Sequence, residues 1–140
     1  MSILSQIRVP AKLEHLEQLL EAVTSSARQA GIADSRIREI EVAAEEALVN
    51  VFHYAYSGNQ GDVEVVCKAT GKEEFIVEIA DSGRPFDPTT KREPDTAADI
   101  AHRKVGGLGI LLIKRLMNDM KYRRESEKNV LSLVVLKGSG

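Results

Sequence analysis

Apolar side chains recur every three or four positions over residues 13–30. They are Leu13, Leu16, Leu20, Val23 and Ala27. This spacing places them on one face of an α-helix and predicts an amphipathic helix. Gly31 is its expected end, because glycine readily takes the left-handed conformation of a helix C-terminus. We interpret this first helix as part of the scaffold. A short strand at residues 7–9, ended by Pro10, is predicted ahead of it.

A second apolar series predicts a longer helix that begins at Asp34 or Ser35, either of which can cap it, and ends near Tyr54. Its aliphatic stripe consists of Ile37, Ile40, Ala44, Ala47, Leu48 and Val51. At about 100° per residue, another set of side chains falls on the opposite side. These are Glu39, Glu46, Asn50 and His53. The helix therefore has one face for a core and one for chemistry or solvent.

Alternating character and many β-branched residues predict two strands, at residues 63–69 and 75–80, joined by a hairpin. A third, buried helix is predicted at residues 110–117 from its aliphatic spacing. Two late strands follow, near residues 121–124 and 130–136. The chain therefore ends in a second strand pair.

The segment 88–105 is polar, charged and long for a structureless connection, which is typical of a lid. The order of the other elements suits an α+β fold in which helices pack on one side of a mixed sheet. The chain has 140 residues, 43% of them hydrophobic, which is enough to bury one continuous core. We therefore expect a single domain spanning residues 1–140.

Charge and cysteine content narrow the classes of function. The 19 basic and 21 acidic residues nearly cancel, which argues against a large surface for nucleic acid or an anionic membrane. Cys67 is the single cysteine, so no internal disulfide can form. The N-terminus lacks the pattern of a signal peptide, and no apolar run approaches the roughly 20 residues of a membrane span. We expect a cytoplasmic protein with no direct nucleic-acid or membrane partner.

Glu46 and Asn50 form the first candidate for chemistry. They are four residues apart, so on a helix their side chains stand about 6 Å apart on the same side. An amide oxygen suits Mg²⁺, which also keeps waters and phosphate oxygens, while a free carboxylate can accept a proton. This pattern assigns Asn50 to a metal and Glu46 to a base. The alternative is an ordinary solvated helix face.

The Asp-Ser-Gly sequence at residues 81–83 is the second candidate. Asp81 follows a strand that can bury its apolar side, so its carboxylate emerges at the edge of the core and needs hydrogen-bond donors. An adenine amino group could be one donor. The alternative is an Asx turn, in which the carboxylate bonds its own backbone.

The Gly-Gly-Leu-Gly sequence at residues 106–109, just ahead of the third helix, is the last candidate. Glycines let a backbone approach an anion closely, and the amides at a helix N-terminus attract phosphate. A plain loop-to-helix turn is the alternative. Basic residues of the preceding lid could neutralise a terminal phosphate. They are Lys91, Arg92, Arg103 and Lys104.

Taken in order, these three sequences resemble the N, G1 and G2 boxes of the GHKL ATPase superfamily. The small size and the Pro-Phe-Asp at residues 85–87 resemble most the bacterial anti-sigma-factor serine kinases of stress-response and sporulation partner switching. The resemblance covers nearly the whole chain, and three ordered motifs are more specific than any one of them. It implies a two-layer α/β sandwich of the Bergerat type, with a mixed, mostly antiparallel sheet covered on one face by helices.

The resemblance also implies roles for individual residues. Glu46 matches the carboxylate that activates the substrate serine, and Asn50 matches the ligand of Mg²⁺. Asp81 matches the residue that bonds the adenine amino group of ATP, with Gly83 allowing the base to sit close. Residues 88–105 match the segment that forms the ATP lid. The residues matched to phosphate contacts, with the nearest upstream cation, are Gly106, Gly107, Leu108, Gly109 and Lys104.

Two positions depart from the pattern of the superfamily. Relatives often carry an arginine directly ahead of the Gly-x-Gly core or one place earlier, where this chain has Val105 and Gly106. Many also have a Gly-Thr pair before the last strand that supports the adenine end of the site. This chain has Glu127, Lys128, Asn129 and Val130 there, of which Asn129 could substitute. The resemblance therefore leaves the cation at the terminal phosphate and the support of the adenine end unassigned.

The function implied is that of an ATP-dependent protein-serine kinase and anti-sigma factor. Such a protein phosphorylates an anti-anti-sigma protein, sequesters a sigma factor and forms a homodimer. The alternative is a non-catalytic, nucleotide-gated anti-sigma or adaptor module. A third possibility, the catalytic fragment of a histidine kinase, is disfavoured because no dimerisation helix with a phospho-acceptor His-Glu pair precedes the domain, and His15 lacks that pattern.

Overall fold

The computed structural model describes residues 2–56, 60–71, 73–90 and 107–138. Short 3-10 turns span Leu13–His15 and Pro88–Thr90. The helices of the described residues are α1 (Leu16–Gln29), α2 (Asp34–Tyr54) and α3 (Gly107–Leu116). The strands are β1 (Ser2–Pro10), β2 (Asp62–Ala69), β3 (Glu74–Asp81), β4 (Asp119–Glu125) and β5 (Lys128–Leu136).

Within the described part of the chain, the strands form one sheet in the order β1-β2-β3-β5-β4. Every neighbouring pair is antiparallel, so the sheet is not mixed. The central pair joins β3 to β5, and its register places Asp81 directly opposite Asn129. Two residues distant in the sequence thus meet at one end of the sheet.

One face of the sheet carries the core. Along β2 and β3 the side chains alternate, and Val65, Val77 and Ile79 are among those buried against the helices. The buried stripe of α2 packs on the same face and includes Ile40, Ala44 and Leu48. This arrangement of one sheet and one helical layer confirms the predicted α+β two-layer fold.

Most element ends agree with the sequence pattern, and α2 spans the predicted Asp34–Tyr54. Gly31 has a φ of 87°, and the Ile32 amide donates to the Ala27 carbonyl at 3.0 Å, so the predicted glycine end of α1 is confirmed. The predicted cap of α2 is wrong, because its N-cap is Ala33 and no side chain caps it.

Two strand and helix starts also differ from expectation. β1 begins at Ser2, well ahead of the predicted residues 7–9. It pairs with β2 from Ser2 to Pro10, with a register shift between Ile3 and Ser5. Its first half contains polar residues, so a search for apolar runs does not detect it. α3 begins at Gly107, so the glycines at 107 and 109 lie in its first turn and do not precede it.

The predicted lid at residues 88–105 is described only in its first turn, Pro88–Thr90. The rest of the lid lies outside the described residues, together with Lys104 and Gly106. None of the helices in the described residues combines the length and apolar content that a bilayer crossing requires.

Candidate functional site

α2 brings Glu46 and Asn50 to the same side of the molecule. Asn50 is only 8% exposed, and Glu46 is half-buried. A Cβ added to Gly109 would overlap the Glu46 Oε2 atom, so this carboxylate lies against the first turn of α3. The two residues therefore do not sit on an ordinary solvated helix face.

The Asp81 carboxylate lies at the end of β3 and is 7% exposed. Its Oδ1 accepts a hydrogen bond from the Gly83 amide at 2.9 Å, which is the Asx turn that the sequence allowed. The same Oδ1 also accepts from Asn129 Nδ2 at 2.9 Å. The turn and a ligand contact are compatible, because a carboxylate has a second oxygen.

Gly83 is required by the end of α2. A Cβ at this position would overlap the Ala55 carbonyl oxygen, and the Arg84 amide donates to that oxygen at 3.3 Å. The Gly83 carbonyl in turn accepts from Arg124 Nη1 at 2.8 Å. Backbone packing thus gives Gly83 a reason to be glycine that is independent of a bound base.

Asn129, which is not among the predicted site residues but stands near the place of the Gly-Thr pair of relatives, also lies at this site. Its side chain is 6% exposed, and Nδ2 donates to Asp81 Oδ1 and to the Arg84 carbonyl at 2.8 Å. Its Oδ1 accepts from the Tyr122 hydroxyl at 2.6 Å and from the Phe86 amide at 3.2 Å. The available signal was a polar residue at the start of an otherwise apolar strand.

Tyr56 holds the same turn from the other side. Its hydroxyl accepts from the Ser82 amide at 2.8 Å and donates to the Asp62 carbonyl at 2.6 Å. Burial raises the pKa of Tyr56 above its ordinary value. A Cβ on Gly61 would overlap its ring, so the chain before β2 fits tightly beneath it.

A cleft open to solvent lies between α2, the end of β3 and the start of β5. Asn50 and Asp81 both face it, so two of the predicted site residues come together here. The other lining residues are Ala47, Val51, Tyr54, Ala55, Ile79, Phe86, Pro88, Tyr122, Asn129 and Leu131.

The lining suits a flat, mostly apolar ligand with a hydrogen-bond donor. Aliphatic and aromatic side chains form its walls, while Asp81 supplies a carboxylate in the wall. An adenine ring has these properties, since its exocyclic amine donates and its faces are apolar. The described residues therefore fit the base of ATP.

At the other end of the site, the amides of the first turn of α3 have no acceptors within their own helix and suit an anion. Gly109 is buried there beside Glu46. For Gly107 and Leu108 the structure describes the backbone only. The described residues hold no group of three or more His, Cys, Asp or Glu that could bind a metal. The amide oxygen of Asn50 is of the type that Mg²⁺ accepts together with water and phosphate oxygens.

Comparison with protein families gives a match over most of the chain. Residues 9–135 match the family described as histidine kinase-like ATPase domain. The serine-protein kinase RsbW of Listeria monocytogenes serovar 1/2a is 28% identical over 119 residues, which are 82% of this chain and 76% of that protein. The serine-protein kinase RsbW of Bacillus cereus strain AH187 is 26% identical over 130 residues, which are 90% of this chain and 81% of that protein.

Solved structures with the same fold include a chain of the SiaB-SiaC complex from Pseudomonas aeruginosa. It has a TM-score of 0.68 at 16% identity, and the match covers 95% of this chain and 89% of that one. A structure of RsbU and RsbW domains from Mycobacterium tuberculosis has a TM-score of 0.64 at 13% identity, covering 95% of this chain and 32% of that one. These likenesses confirm the fold.

Proposed function

Because the chain belongs to the histidine kinase-like ATPase domain family, which implies use of ATP, we propose that it is an ATP-dependent protein-serine kinase of the partner-switching type. One observation carries this proposal. Asn50 and Asp81, from different elements, line one cleft, and Glu46 lies against the glycine-containing start of the next helix. This is the arrangement that binding a nucleotide at one end and moving a proton at the other requires.

The names of the relatives support a proposal for the partners. Two are named serine-protein kinase RsbW, and a structural neighbour forms the SiaB-SiaC complex. We infer a substrate serine on a small anti-anti-sigma-like protein and a sigma factor as the sequestered partner. A homodimer is the proposed assembly, by the same resemblance.

In this proposal, different residues bind the adenine ring and the phosphates. Asp81 accepts a hydrogen bond from the adenine amino group, and the apolar lining covers the faces of the base. Asn50 offers its amide oxygen to Mg²⁺, and the first amides of α3 receive the phosphates. When bound, Mg²⁺ neutralises phosphate charge and fixes the reacting group.

Glu46 is the proposed general base. Its half-buried carboxylate, next to Gly109, accepts the proton of the substrate serine as the serine oxygen bonds to the terminal phosphorus and ADP leaves. The position of the carboxylate beside the phosphate end supports this role.

Replacement of Glu46 tests the kinase. Glu46→Gln should reduce phosphorylation of the cognate serine protein by about 100-fold or more, because it keeps the shape of the side chain and removes the proton acceptor. The ATP dissociation constant should change by less than about twofold, since the lost interaction belongs to the transition state. Both are measured with radiolabelled ATP and by equilibrium titration.

Glu45→Gln is the matched control, because Glu45 is the neighbouring carboxylate and is exposed. It should leave both quantities unchanged. Unaltered phosphorylation by Glu46→Gln would exclude Glu46 as the base. A wild-type protein that binds Mg²⁺ and ATP but transfers phosphate to no serine protein would instead be the nucleotide-gated adaptor.

A further inference from the structure

We propose that Asn129 is a positioning residue that sets the base preference of the cleft, by holding Asp81 so that its Oδ2 is the oxygen left for a 6-amino group. This inference rests on the proposed function only in so far as the cleft binds a purine nucleotide. It gives the chain a preference for 6-amino purines over 6-oxo purines.

The side chain of Asn129 is fixed in one orientation. Its Nδ2 faces two acceptors, the Asp81 carboxylate and the Arg84 carbonyl. Its Oδ1 faces two donors, the Tyr122 hydroxyl and the Phe86 amide. A flipped amide would place its oxygen against the oxygens of Asp81 and Arg84, and its nitrogen against the Phe86 amide, which can only donate. All the hydrogen-bonding capacity of the amide is therefore used, and the group cannot turn without losing these bonds.

The fixed amide in turn fixes the carboxylate. Asn129 and Gly83 both donate to Asp81 Oδ1, each at 2.9 Å. Among the hydrogen bonds of the described residues, Oδ2 accepts none. Asp81 is 7% exposed, so little water competes at this group. Oδ2 is thus a preset acceptor beside the cleft.

A preset acceptor distinguishes purines by the group at position 6. An amino group donates to Oδ2, whereas an oxo group presents lone pairs to a carboxylate that has no proton. When a site is built to receive a hydrogen-bond donor, an analogue without that donor binds much more weakly. The loss of affinity is far larger than the loss from removing one apolar contact. The preference therefore depends on the orientation of the Asp81 carboxylate, which Asn129 and Gly83 set.

Asparagine is suited to this position by both charge and shape. An aspartate at 129 would place a second carboxylate at hydrogen-bond distance from Asp81, and an alanine would supply no donor. Asn129 also holds the Arg84 carbonyl and the Phe86 amide, so one side chain orders both the acceptor and the chain beside the cleft.

The test measures equilibrium binding of ATP and of inosine triphosphate, each with Mg²⁺. The wild type should bind ATP about 100-fold or more tightly than inosine triphosphate. In Asn129→Ala this ratio should fall by about tenfold or more, because Asp81 loses one of the two donors that orient it.

Asn129→Asp adds a pH-dependent signature that a purely structural role would not produce. Two charged carboxylates at hydrogen-bond distance repel each other, so ATP binding at about pH 8 should fall by about tenfold or more. ATP binding should recover in part at about pH 5.5, because acid weakens this repulsion. The wild type should show no such change.

Asn118→Asp is the matched control. Asn118 Oδ1 accepts from Arg36 Nη2 and from the Leu136 amide, both at 2.9 Å, at the opposite end of β5. An aspartate there would form an ion pair with Arg36. It would lie about 20 Å from Asn129 along the strand. The nucleotide ratio should be unchanged at both pH values.

The outcomes separate this inference from the kinase. A wild-type ratio near one, or an unchanged ratio in Asn129→Ala, overturns the role of Asn129 even where phosphotransfer is intact. If circular dichroism shows that Asn129→Asp does not fold, Asn129→Ala decides alone. The wild type could prefer ATP strongly, lose this preference in Asn129→Ala, and transfer no phosphate. That outcome supports the positioning role of Asn129 and rejects the kinase function. A wild type that binds neither nucleotide overturns both.

Discussion

The turn at Gly83, at the proposed base end of the site, and the start of α3 at Gly109, at its proposed phosphate end, each have a close neighbour, but the two neighbours differ. At the base end, a Cβ on Gly83 would overlap the Ala55 carbonyl, which is backbone. At the phosphate end, a Cβ on Gly109 would overlap the tip of the Glu46 side chain, which can rotate. The base end is thus fixed by backbone against backbone, and the phosphate end by backbone against a movable carboxylate.

In the proposed function, this difference would separate binding from chemistry. A rigid turn would give the nucleotide a fixed anchor, whereas a carboxylate that takes up a proton must approach and leave the reacting hydroxyl. Substitutions at the base end should therefore change affinity and stability together. Substitutions at the phosphate end should change the rate of transfer with little change in stability.

The largest expected effect is at the acceptor of the base end. Asp81→Asn keeps the shape and the Oδ1 acceptor but replaces Oδ2 by a donor that faces the adenine amine. ATP affinity should fall by about 100-fold or more, and inosine triphosphate should become the tighter ligand. Competitive titration of the two nucleotides measures both values, and an ATP affinity within about twofold of wild type would contradict the prediction.

Next in size is Gly83→Ala, which breaks the rigid contact itself. The new methyl group forces the end of α2 away from the turn, at a cost of about 1–3 kcal/mol in the free energy of unfolding. ATP affinity should also fall, because the turn carries Asp81. Urea unfolding checks the first value. Gly71→Ala is the control, since nothing lies within 4 Å of a Cβ there.

Gly109→Ala should separate rate from stability. Its methyl group displaces the Glu46 carboxylate, so phosphotransfer at saturating ATP should fall by about tenfold. The free energy of unfolding should stay level or rise by up to about 1 kcal/mol, because alanine favours helix more than glycine does. A loss of stability equal to that of Gly83→Ala would remove the distinction between the two ends.

The smallest effect is expected from Tyr56→Phe, which removes the hydroxyl between Ser82 and Asp62. The cost should be about 1 kcal/mol in unfolding free energy. Burial raises the folded-state pKa of Tyr56 above 10.0. Wild-type stability should therefore decline as the pH rises past 10.0 through the folded value, and the variant should decline less. Urea titrations across this pH window compare the two slopes.

Local periodicity predicted the parts of the site that lie on one element. The bounds of α2 follow from its apolar stripe, so Glu46 and Asn50 were placed on a common side. The burial of Asn50 was not predictable in this way, because the walls of the cleft come from β3, β5 and residues near Phe86.

The contact between Asp81 and Asn129 required knowledge of strand register. The two residues are 48 positions apart, and a slip of one residue would turn each to the other face of the sheet. The cap of α2 failed for a local reason, since Asp34 and Ser35 look like caps but lie within the helix. Motif order allowed the prediction of one site from three separated sequences, because the resemblance depends on their order along the chain and not on register.

The pairing of β3 with β5 also sets the order in which the site matures during synthesis. Domains acquire structure as the chain emerges from its N-terminus. Asp81 emerges long before Asn129, its neighbour across the sheet. A nascent chain that has released β1, β2 and β3 therefore has the carboxylate but not the amide that orients it. In the proposed function, recognition of the adenine ring would therefore begin only after β5 has been synthesised and paired with β3.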